Sequence, residues 1–274
     1  MDNTRFEDAA DFFCGADTQQ QLRYEVGGLR IVHCARCGLA FVNPRLKDQV
    51  RFDEVYTEDY GRKNRPAWRR TLSRAKRWLV RPFRGRSGWE WQALFVARSL
   101  CRAHGQVPER VRLLEIGSGN GSFLSVLRER FPHWDLAGIE PSEHWARVCR
   151  EERGLPVQCG LLEEVEFPPG SFDAVHLWQV LEHFPDPVGS MARLRACLKP
   201  GGLLTLRTPN YNCLTRRRKG TGWKDWWPEQ HLYYFTHATL ERLLAETGFR
   251  RVWPRRIPFW RDWASTLLVA ARAE

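Results

Sequence analysis

The sequence lacks several features that would assign it to a specialised class of protein. Its 274 residues contain no run of about 18 or more apolar residues, so we predict no helix that spans a bilayer. It has no internal repeat and no low-complexity segment, which excludes repeat architectures. Its eight cysteines are spread along the chain without a dense framework, so we expect thiols or metal ligands rather than disulfides.

The N-terminal residues also lack the features of a signal peptide. The stretch MDNTRFEDAADFF carries acids where a signal peptide has positive charge followed by an apolar region. We therefore expect a cytoplasmic protein. With 43% apolar and 27% charged residues, the composition is that of an ordinary soluble globular protein.

Acidic residues are absent between Tyr60 and Trp89, where eleven Lys or Arg residues occur. Subtracting these eleven from the 43 bases leaves 32, which balance the 32 acids, so the net charge of +11 belongs to this segment. Within it, apolar residues recur at helical spacing: Trp68, Leu72, Ala75, Leu79 and Phe83. Residues 62–86 could lie on an anionic membrane surface, peripheral to the inner face of the membrane. They could also contact RNA or a phosphorylated acceptor, or form a solvated helix that covers the active site.

Composition divides the chain into three regions. Residues 1–45 contain two strand-like runs separated by Gly27 and Gly28, which predicts a small β module with a hairpin. Residues 46–108 lack strand patterning and predict a basic helical connector or lid. This region ends in WEWQALFVARSLCRAHG, where Trp91, Leu94, Phe95 and Arg98 recur at helical spacing.

The third region, residues 109–274, alternates strand-like and helix-like runs. The strand-like runs are VRLLEI, WDLAGIE, FDAVHLW, LLTLRTP, RVWPRRI and STLLVAARA. This alternation predicts an α/β fold with a mostly parallel sheet and helices on both faces. Because no helix pattern separates the last two runs, we expect them to pair antiparallel as a hairpin.

A glycine-rich loop follows the first of these strands. In LLEIGSGNGSF the glycines are Gly117, Gly119 and Gly121, and Glu140 ends the next strand. A loop at this switch point, followed by a carboxylate that can bind ribose hydroxyls, predicts a nucleoside-bearing cofactor. The spacing differs from the dinucleotide fingerprint G-x-G-x-x-G, because the sixth position is Ser122. This difference disfavours a nicotinamide cofactor.

Further motifs follow in a fixed order: GIEPS, then GSFDAV leading to LEHFPDP, then LKPGGLLTLRTPN. Together with LLEIGSGNG, they resemble the class I S-adenosylmethionine-dependent methyltransferases over roughly residues 110–274. The resemblance implies a Rossmann-like methyltransferase fold with a seven-stranded sheet and S-adenosylmethionine as cofactor.

The resemblance also implies a cofactor site. Glu115 and the backbone from Gly117 to Gly121 would hold the methionine part, and Glu140 the ribose. The adenine would lie beside residues 160–165, where Leu161 occupies a position that is acidic in many relatives, and main-chain contact through Leu162 is an alternative. The full predicted set is Glu115, Gly117, Ser118, Gly119, Gly121, Glu140, Pro141, Leu161, Leu162 and Gln179.

Two histidines are candidates for catalysis. A methyl acceptor with a sugar hydroxyl needs a base near its proton, and an imidazole titrates near neutral pH. His183 lies in VLEHFPDP and His231 in WWPEQHLYYF. Alternatively, His183 only hydrogen-bonds the loop or the cofactor, and His231 is a packing residue. The aromatic residues of WKDWWPEQHLYYF could form a stacking wall for the acceptor or simply bury a long loop.

A cysteine motif occurs in the N-terminal region. CARCGL has the C-x-x-C-G form of a zinc knuckle, and the region resembles the zinc-ribbon-like leader of one group of these methyltransferases. The second pair is reduced to Cys14, with Asp11 at the spacing of the missing cysteine. Asp11, Cys14, Cys34 and Cys37 could bind zinc, or the ribbon could be degenerate and hold no metal.

These features favour an S-adenosylmethionine-dependent methyltransferase acting on a small-molecule acceptor. By analogy with the family we expect O-methylation of a sugar or a lipid-linked glycan intermediate. The alternatives are an RNA methyltransferase, although no RNA-binding module is recognisable, and a binding or scaffold protein that keeps the fold without turnover. A nicotinamide oxidoreductase is a further alternative.

Overall fold

A computed structural model of the chain describes residues 4–15, 19–48, 50, 88–253 and 265–274. The basic segment 62–86, much of the region 46–108 and the connection between the last two strands lie outside these residues. The strands are β1 (Phe6–Glu7), β2 (Gln20–Val26), β3 (Leu29–Cys34), β4 (Ala40–Val42), β5 (Arg45–Leu46), β6 (Arg112–Ile116), β7 (Asp135–Glu140), β8 (Val157–Cys159), β9 (Phe172–Trp178), β10 (Leu198–Pro209), β11 (Tyr233–Tyr234), β12 (Phe249–Trp253) and β13 (Thr266–Ala273). The α-helices are α1 (Gly88–His104), α2 (Ser122–Arg130), α3 (Glu143–Arg147), α4 (Pro187–Cys197), α5 (Leu214–Lys219) and α6 (His237–Glu246).

The central sheet has seven strands among the described residues, in the order β12-β13-β10-β9-β6-β7-β8. Strands β10, β9, β6, β7 and β8 pair in parallel, and β13 is antiparallel to both β10 and β12. The predicted parallel sheet and the antiparallel pairing of the last two strands are confirmed. The sequence patterns did not predict β8, because this edge strand has only three residues, too few to show the alternation typical of a strand.

Helices pack on the sheet, and α6 shows how local hydrogen bonds fix the residue at which a helix begins. At the start of α6, the hydroxyl of Thr236 accepts a hydrogen bond from the backbone amide of Thr239 at 3.1 Å, while the Thr239 side chain accepts from the Thr236 amide. The face formed by Leu240, Leu243 and Leu244 is buried against the sheet. Among the described residues, no helix combines the length and apolar character that crossing a bilayer would require.

Helix α1 is present as predicted, but of the residues that recur at helical spacing only Phe95 is buried. The side chain of Trp91 is 54% exposed, and Arg98 also faces solvent. The buried face instead contains Gln92, Val96 and Leu100. Both faces have helical spacing, so periodicity alone could not select the correct one.

A second sheet, of four strands in the order β11-β4-β3-β2, joins the N-terminal region to the rest of the chain. Gly27 and Gly28 have φ angles of +59° and +78°, which a two-residue hairpin turn of type I′ requires. Strand β11 comes from the region of the large sheet and pairs antiparallel with β4. The N-terminal β module therefore completes its sheet with a strand from beyond residue 45.

The aromatic segment between α5 and β11 packs against this second sheet. Trp223, Trp226 and Tyr234 are buried in one cluster with Ile31 of β3 and Val42 of β4. Their burial favours the interpretation in which these rings cover a long loop. Trp227 is the partly exposed member of the segment, at 39%.

His176 is a buried titratable residue of the core. Its ring stacks on Phe123 with a centroid distance of 4.3 Å, and its Nδ1 lies 2.9 Å from the hydroxyl of Thr205. Burial lowers the pKa of His176 to about 3, because the surrounding core disfavours the charged imidazolium. The histidine is therefore neutral in the folded protein at neutral pH.

This burial predicts a loss of stability in mild acid. Below pH 6.5, the unfolded chain binds a proton at His176 that the folded chain does not bind, so the free energy of unfolding should fall as the pH falls. Between pH 7 and pH 5 the loss should be about 2 kcal/mol. Urea unfolding at both pH values, compared with His176→Gln, measures this contribution. Equal pH dependence in the two proteins would contradict it.

Candidate active site

A cavity of about 620 Å³ opens at the carboxyl ends of β6, β7 and β9. Its volume lies within the range of small-molecule sites, and its place in the sheet is where open α/β folds bind ligands. Seven of the ten predicted cofactor residues line it: Gly117, Gly119, Glu140, Pro141, Leu161, Leu162 and Gln179. Glu115, Ser118 and Gly121 do not line it. The structure therefore brings seven of the predicted residues to one cavity, and their role in binding a cofactor stays a prediction.

The three loop glycines all have left-handed backbones, with φ angles of +74°, +52° and +70° at Gly117, Gly119 and Gly121. The three positions differ in the atoms that an added side chain would contact. A Cβ at Gly117 would lie 2.8 Å from a methyl of Val180, and one at Gly121 would lie 2.6 Å from a methyl of Leu155. A Cβ at Gly119 would meet no atom within 4 Å. Of the three positions, only Gly119 therefore has open space where a side chain would lie, and this residue lines the cavity.

Glu140 is held rigidly at the end of β7. Its two carboxylate oxygens each accept one backbone hydrogen bond, from Gly119 at 2.7 Å and from Ser142 at 3.0 Å. Burial raises the pKa of Glu140, while these two amides oppose the rise. Each carboxylate oxygen has a second lone pair, so the group can still accept hydrogen bonds from a ligand in the cavity.

Glu115 lies beneath the loop, in the middle of the sheet. It is buried, and its Oε2 atom has no hydrogen-bond partner. Burial raises the pKa of Glu115 well above its ordinary value, and the nearby charge of Glu140 adds to the rise. A buried oxygen without a partner is costly, which makes Glu115 an available acceptor for a cationic group close to the loop.

Gln179 has two unusual features at the cavity wall. It has a φ angle of +58°, a conformation that costs a non-glycine residue on the order of 1 kcal/mol or more. Its backbone amide is fixed by a 2.8 Å hydrogen bond to the carbonyl of Arg207. Its Oε1 atom is buried without a partner, so the strained backbone holds an unused acceptor at the cavity.

The loop after β8 forms another part of the wall. The backbone amide of Leu161 already donates to Glu164 Oε2 at 2.9 Å, and the hydroxyl of Ser190 donates to Glu163 Oε1 at 2.8 Å. Both glutamates belong to residues 160–165, beside which the sequence analysis placed the adenine, although it named neither as a site residue. It also missed Asp186, which accepts from the amide of Gly189 at 3.0 Å and caps α4. The sequence DPVG carried that signal, an N-cap acid followed by proline.

The two candidate histidines lie together, with ring centroids 4.9 Å apart. His183 lines the cavity, whereas His231 is buried behind it. His231 Nδ1 lies 2.9 Å from the carbonyl oxygen of Asp225, which can only accept, so the proton is on Nδ1. Burial lowers the pKa of His231 to about 4, so it is neutral at neutral pH. The burial of His231 and its bond to a backbone carbonyl agree with a packing role, while its contact with His183 places it beside the cavity.

Glu182 is a third member of this group that the sequence analysis did not select. It is fully buried, and its Oε2 accepts a 2.9 Å hydrogen bond from the hydroxyl of Thr208. Burial raises the pKa of Glu182 to about 8. Its position beside His183 in LEHFPDP is the sequence signal for this role, although the motif is used above to select the histidine alone.

The N-terminal cluster also assembles. Asp11, Cys14, Cys34 and Cys37 place one ligand atom each within 4.8 Å of one another. The Cys37 thiol donates to Asp11 Oδ2 at 2.8 Å, and the backbone amide of Leu39 points at Cys37 Sγ at 3.4 Å. Burial raises the pKa of the Cys37 thiol, and the hydrogen bond with Asp11 adds to the rise. Three sulfur ligands and a carboxylate fit a structural zinc ion, which would deprotonate the thiols.

Leu232 links the N-terminal sheet to the histidine group through its backbone. The carbonyl of Leu232 accepts from the amide of Val42 in β4 at 3.0 Å, and the amide of Leu232 donates to the carbonyl of Glu182 at 2.8 Å. Since His231 precedes Leu232, its backbone is fixed from both sides. The sheet that carries Cys34 thus supports the wall of the cavity.

A family model described as a methyltransferase domain matches residues 63–253. The chain is 36% identical over 93 residues to Methyltransferase str3 of Strobilurus tenacellus, across 34% of this chain and 33% of that protein. It is 27% identical over 144 residues to the ubiquinone biosynthesis O-methyltransferase of Idiomarina loihiensis, across 48% of this chain and 58% of that protein. The chain thus covers between about a third and three-fifths of the length of these curated relatives.

Solved structures show the same fold. An S-adenosylmethionine-dependent methyltransferase from Mesorhizobium loti matches with a TM-score of 0.51 at 20% identity, across 68% of this chain and 98% of that chain. The predicted Rossmann-like methyltransferase fold is confirmed by this likeness, which at such low identity concerns the fold alone.

The different surroundings of the loop glycines predict different costs of substitution. Gly121→Ala should lower the free energy of unfolding by about 2–3 kcal/mol for two reasons. The new methyl overlaps Leu155 and Cys149, and the left-handed backbone strains any residue other than glycine. Gly119→Ala should cost only about 1 kcal/mol, because only the backbone is strained. Urea unfolding of both variants measures the difference. Equal losses of unfolding free energy would show that the overlap at Gly121 adds nothing to the strain of its backbone.

The N-terminal cluster predicts about one zinc ion per chain in the purified protein. Elemental analysis should find zinc in the wild type and much less in Cys34→Ala, which removes a buried ligand of the cluster. Cys159→Ser is the matched control, since Cys159 is exposed and lies outside the cluster. A wild type without zinc, or a Cys34→Ala variant that retains it, would support the metal-free ribbon.

Proposed function

The chain belongs to the methyltransferase-domain family, and from that premise we propose that it transfers the methyl group of S-adenosylmethionine to a small-molecule acceptor. The observation that carries the proposal is a single cavity. The glycine loop and Glu140 line it on the side of β6 and β7, and His183 lines it after β9. A nucleoside-bearing methyl donor and an acceptor must meet in such a space.

The residues of the wall suit the parts of S-adenosylmethionine. Glu140 supplies carboxylate lone pairs for the two ribose hydroxyls. Gly119 leaves space above the loop backbone, and the unpartnered oxygen of Gln179 at the wall is an acceptor for the ammonium group of the methionine part. Glu115, buried beneath the loop, offers a second acceptor just outside the cavity lining. When bound, the donor supplies an electrophilic methyl. The protein has to hold it in line with the acceptor atom and exclude water.

O-methylation is the proposed reaction. A hydroxyl oxygen is a weak nucleophile until its proton is weakened or removed, and His183 is the imidazole at the cavity wall. The relative from Idiomarina loihiensis is named as an O-methyltransferase, which agrees with oxygen as the acceptor atom. As the acceptor we propose a sugar or a lipid-linked glycan intermediate, on the resemblance of the N-terminal leader and the methyltransferase motifs to one group of these enzymes.

Contact with a membrane surface or another anionic partner stays a prediction. It rests on residues 62–86, which lie outside the described residues. An RNA substrate rests on the same segment. We therefore keep RNA as an outcome that the acceptor experiment can reveal.

The cofactor proposal predicts that wild-type protein binds S-adenosylmethionine in isothermal titration. Glu140→Gln should weaken this binding at least about tenfold, because it removes the charge that the ribose hydroxyls hydrogen-bond. Glu143→Gln is the control, since Glu143 is exposed and pairs with Arg150 at 3.0 Å. Folded wild-type protein that does not bind, or equal affinity in all three proteins, would contradict the assigned site.

The acceptor is then identified by mass spectrometry. The protein is incubated with S-adenosylmethionine and separate sets of sugar nucleotides, lipid-linked sugars and RNA, and products that gain one methyl group are sought. Methylation of RNA alone would overturn the small-molecule assignment. Tight cofactor binding without methylation in any set would favour the non-catalytic alternative.

A further inference from the structure

Three metal-ligating side chains converge where the cavity meets the buried wall. Glu182, His183 and His231 each place one ligand atom within 4.8 Å of the others. Two imidazoles and one carboxylate form a common donor set for a divalent transition metal, with positions left for exogenous ligands. His183 brings the group to the cavity, so the open positions would face the space proposed for the acceptor.

Glu182 has a carboxyl oxygen without a hydrogen-bond partner among the residues that the structure describes. Its Oε2 accepts from Thr208, whereas its Oε1 is buried without a hydrogen-bond partner. Leaving a buried carboxylate oxygen unpaired costs on the order of 1–3 kcal/mol, so such an atom calls for an explanation. A cation beside Oε1 would supply the missing partner.

His231 is oriented as a metal ligand usually is. Its Nδ1–H donates to the carbonyl of Asp225, which leaves the lone pair of Nε2 as the only available donor. Ligating histidines typically donate their other ring nitrogen to a carbonyl or a carboxylate, which fixes the ring and its tautomer. The hydrogen bond from Thr208 fixes Glu182 in the same way.

A second carboxyl group lies close to the three side chains. Asp225 is half-buried, and the guanidinium of Arg207 interacts with it and with Glu182. Its Oδ2 atom has no hydrogen-bond partner among the described residues. Asp225 is therefore a further oxygen acceptor close to His231, whose ring donates to the Asp225 carbonyl.

We propose that Glu182, His183 and His231 bind a divalent transition-metal cation at the acceptor end of the cavity. The ligands around such an ion are about 3–3.4 Å from one another, so the three side chains would close around it by rotation. This inference rests on the proposed function and refines it, because the activation of the acceptor hydroxyl is assigned to the cation that His183 would help to hold, and no longer to His183 as a base.

The cation would act by binding the acceptor oxygen and lowering the pKa of its hydroxyl. The hydroxyl releases its proton to solvent, and the oxygen lone pair forms the new C–O bond as the S–CH3 bond breaks. The products are the methyl ether, S-adenosylhomocysteine and one proton. No oxidant or further reactant is required.

Binding of Mn²⁺ to the full-length chain tests the proposal without an acceptor. Mn²⁺ suits imidazole and carboxylate donors better than the thiolates of the N-terminal cluster. After treatment with a chelator and its removal, the protein is titrated with Mn²⁺, and the free ion is followed by electron paramagnetic resonance. We expect about one Mn²⁺ per chain, and at least about tenfold weaker binding in Glu182→Gln and in His183→Gln.

Two controls locate the bound ion. Glu163→Gln removes another carboxylate of the same cavity, and Cys37→Ser alters the N-terminal cluster. Both should bind Mn²⁺ as the wild type does. Absence of binding, or binding that is lost in Cys37→Ser but kept in Glu182→Gln, would overturn the proposed site.

Titration with S-adenosylmethionine on the same samples separates this inference from the proposed function. Protein that binds S-adenosylmethionine but not Mn²⁺ refutes the cation site and leaves the methyltransferase proposal intact. Protein that binds Mn²⁺ at this site but not S-adenosylmethionine refutes the assigned cofactor. Retained binding of S-adenosylmethionine by Glu182→Gln and His183→Gln would show that these variants are folded.

Discussion

The backbone of Leu232 is the constraint on which the acceptor side of the cavity depends. Its carbonyl and amide bond to Val42 and Glu182, so one residue joins the N-terminal sheet to the turn that follows β9. Strand β11 continues this contact by pairing with β4. Because both backbone groups of Leu232 are used, the position of His231 beside it is determined by two separate parts of the fold.

This connection gives the N-terminal region a structural role in the site. The Cys34–Cys37 turn lies between β3 and β4, and β4 is the strand that contacts Leu232 and β11. Whatever stabilises that turn, whether hydrogen bonds or a metal ion, also stabilises the strand that supports His231. The buried tryptophans of the loop after α5 add to this support, because they cover the face of the N-terminal sheet that carries Ile31 and Val42 instead of lining the cavity.

The cavity itself combines a rigid frame with unused polar atoms. Glu140 is fixed by two backbone amides, and Gln179 is fixed by a strained backbone. In contrast, oxygens of Glu115, Gln179 and Glu182 are buried without partners. Buried polar atoms are usually satisfied, so an unpartnered oxygen at the cavity wall, such as that of Gln179, is expected where a ligand supplies the missing partner.

The sequence by itself determined the parallel sheet and the antiparallel C-terminal pair, and it selected seven residues that line one cavity. Strand and helix periodicity, turn glycines and motif spacing are local properties, and they act within a few residues of one another. The tertiary structure alone decided that β11 completes the N-terminal sheet, that Gly121 makes room for Leu155, and that Glu182 joins the two histidines. These contacts join residues far apart in the chain, so they depend on the packing of whole elements, which no local pattern encodes.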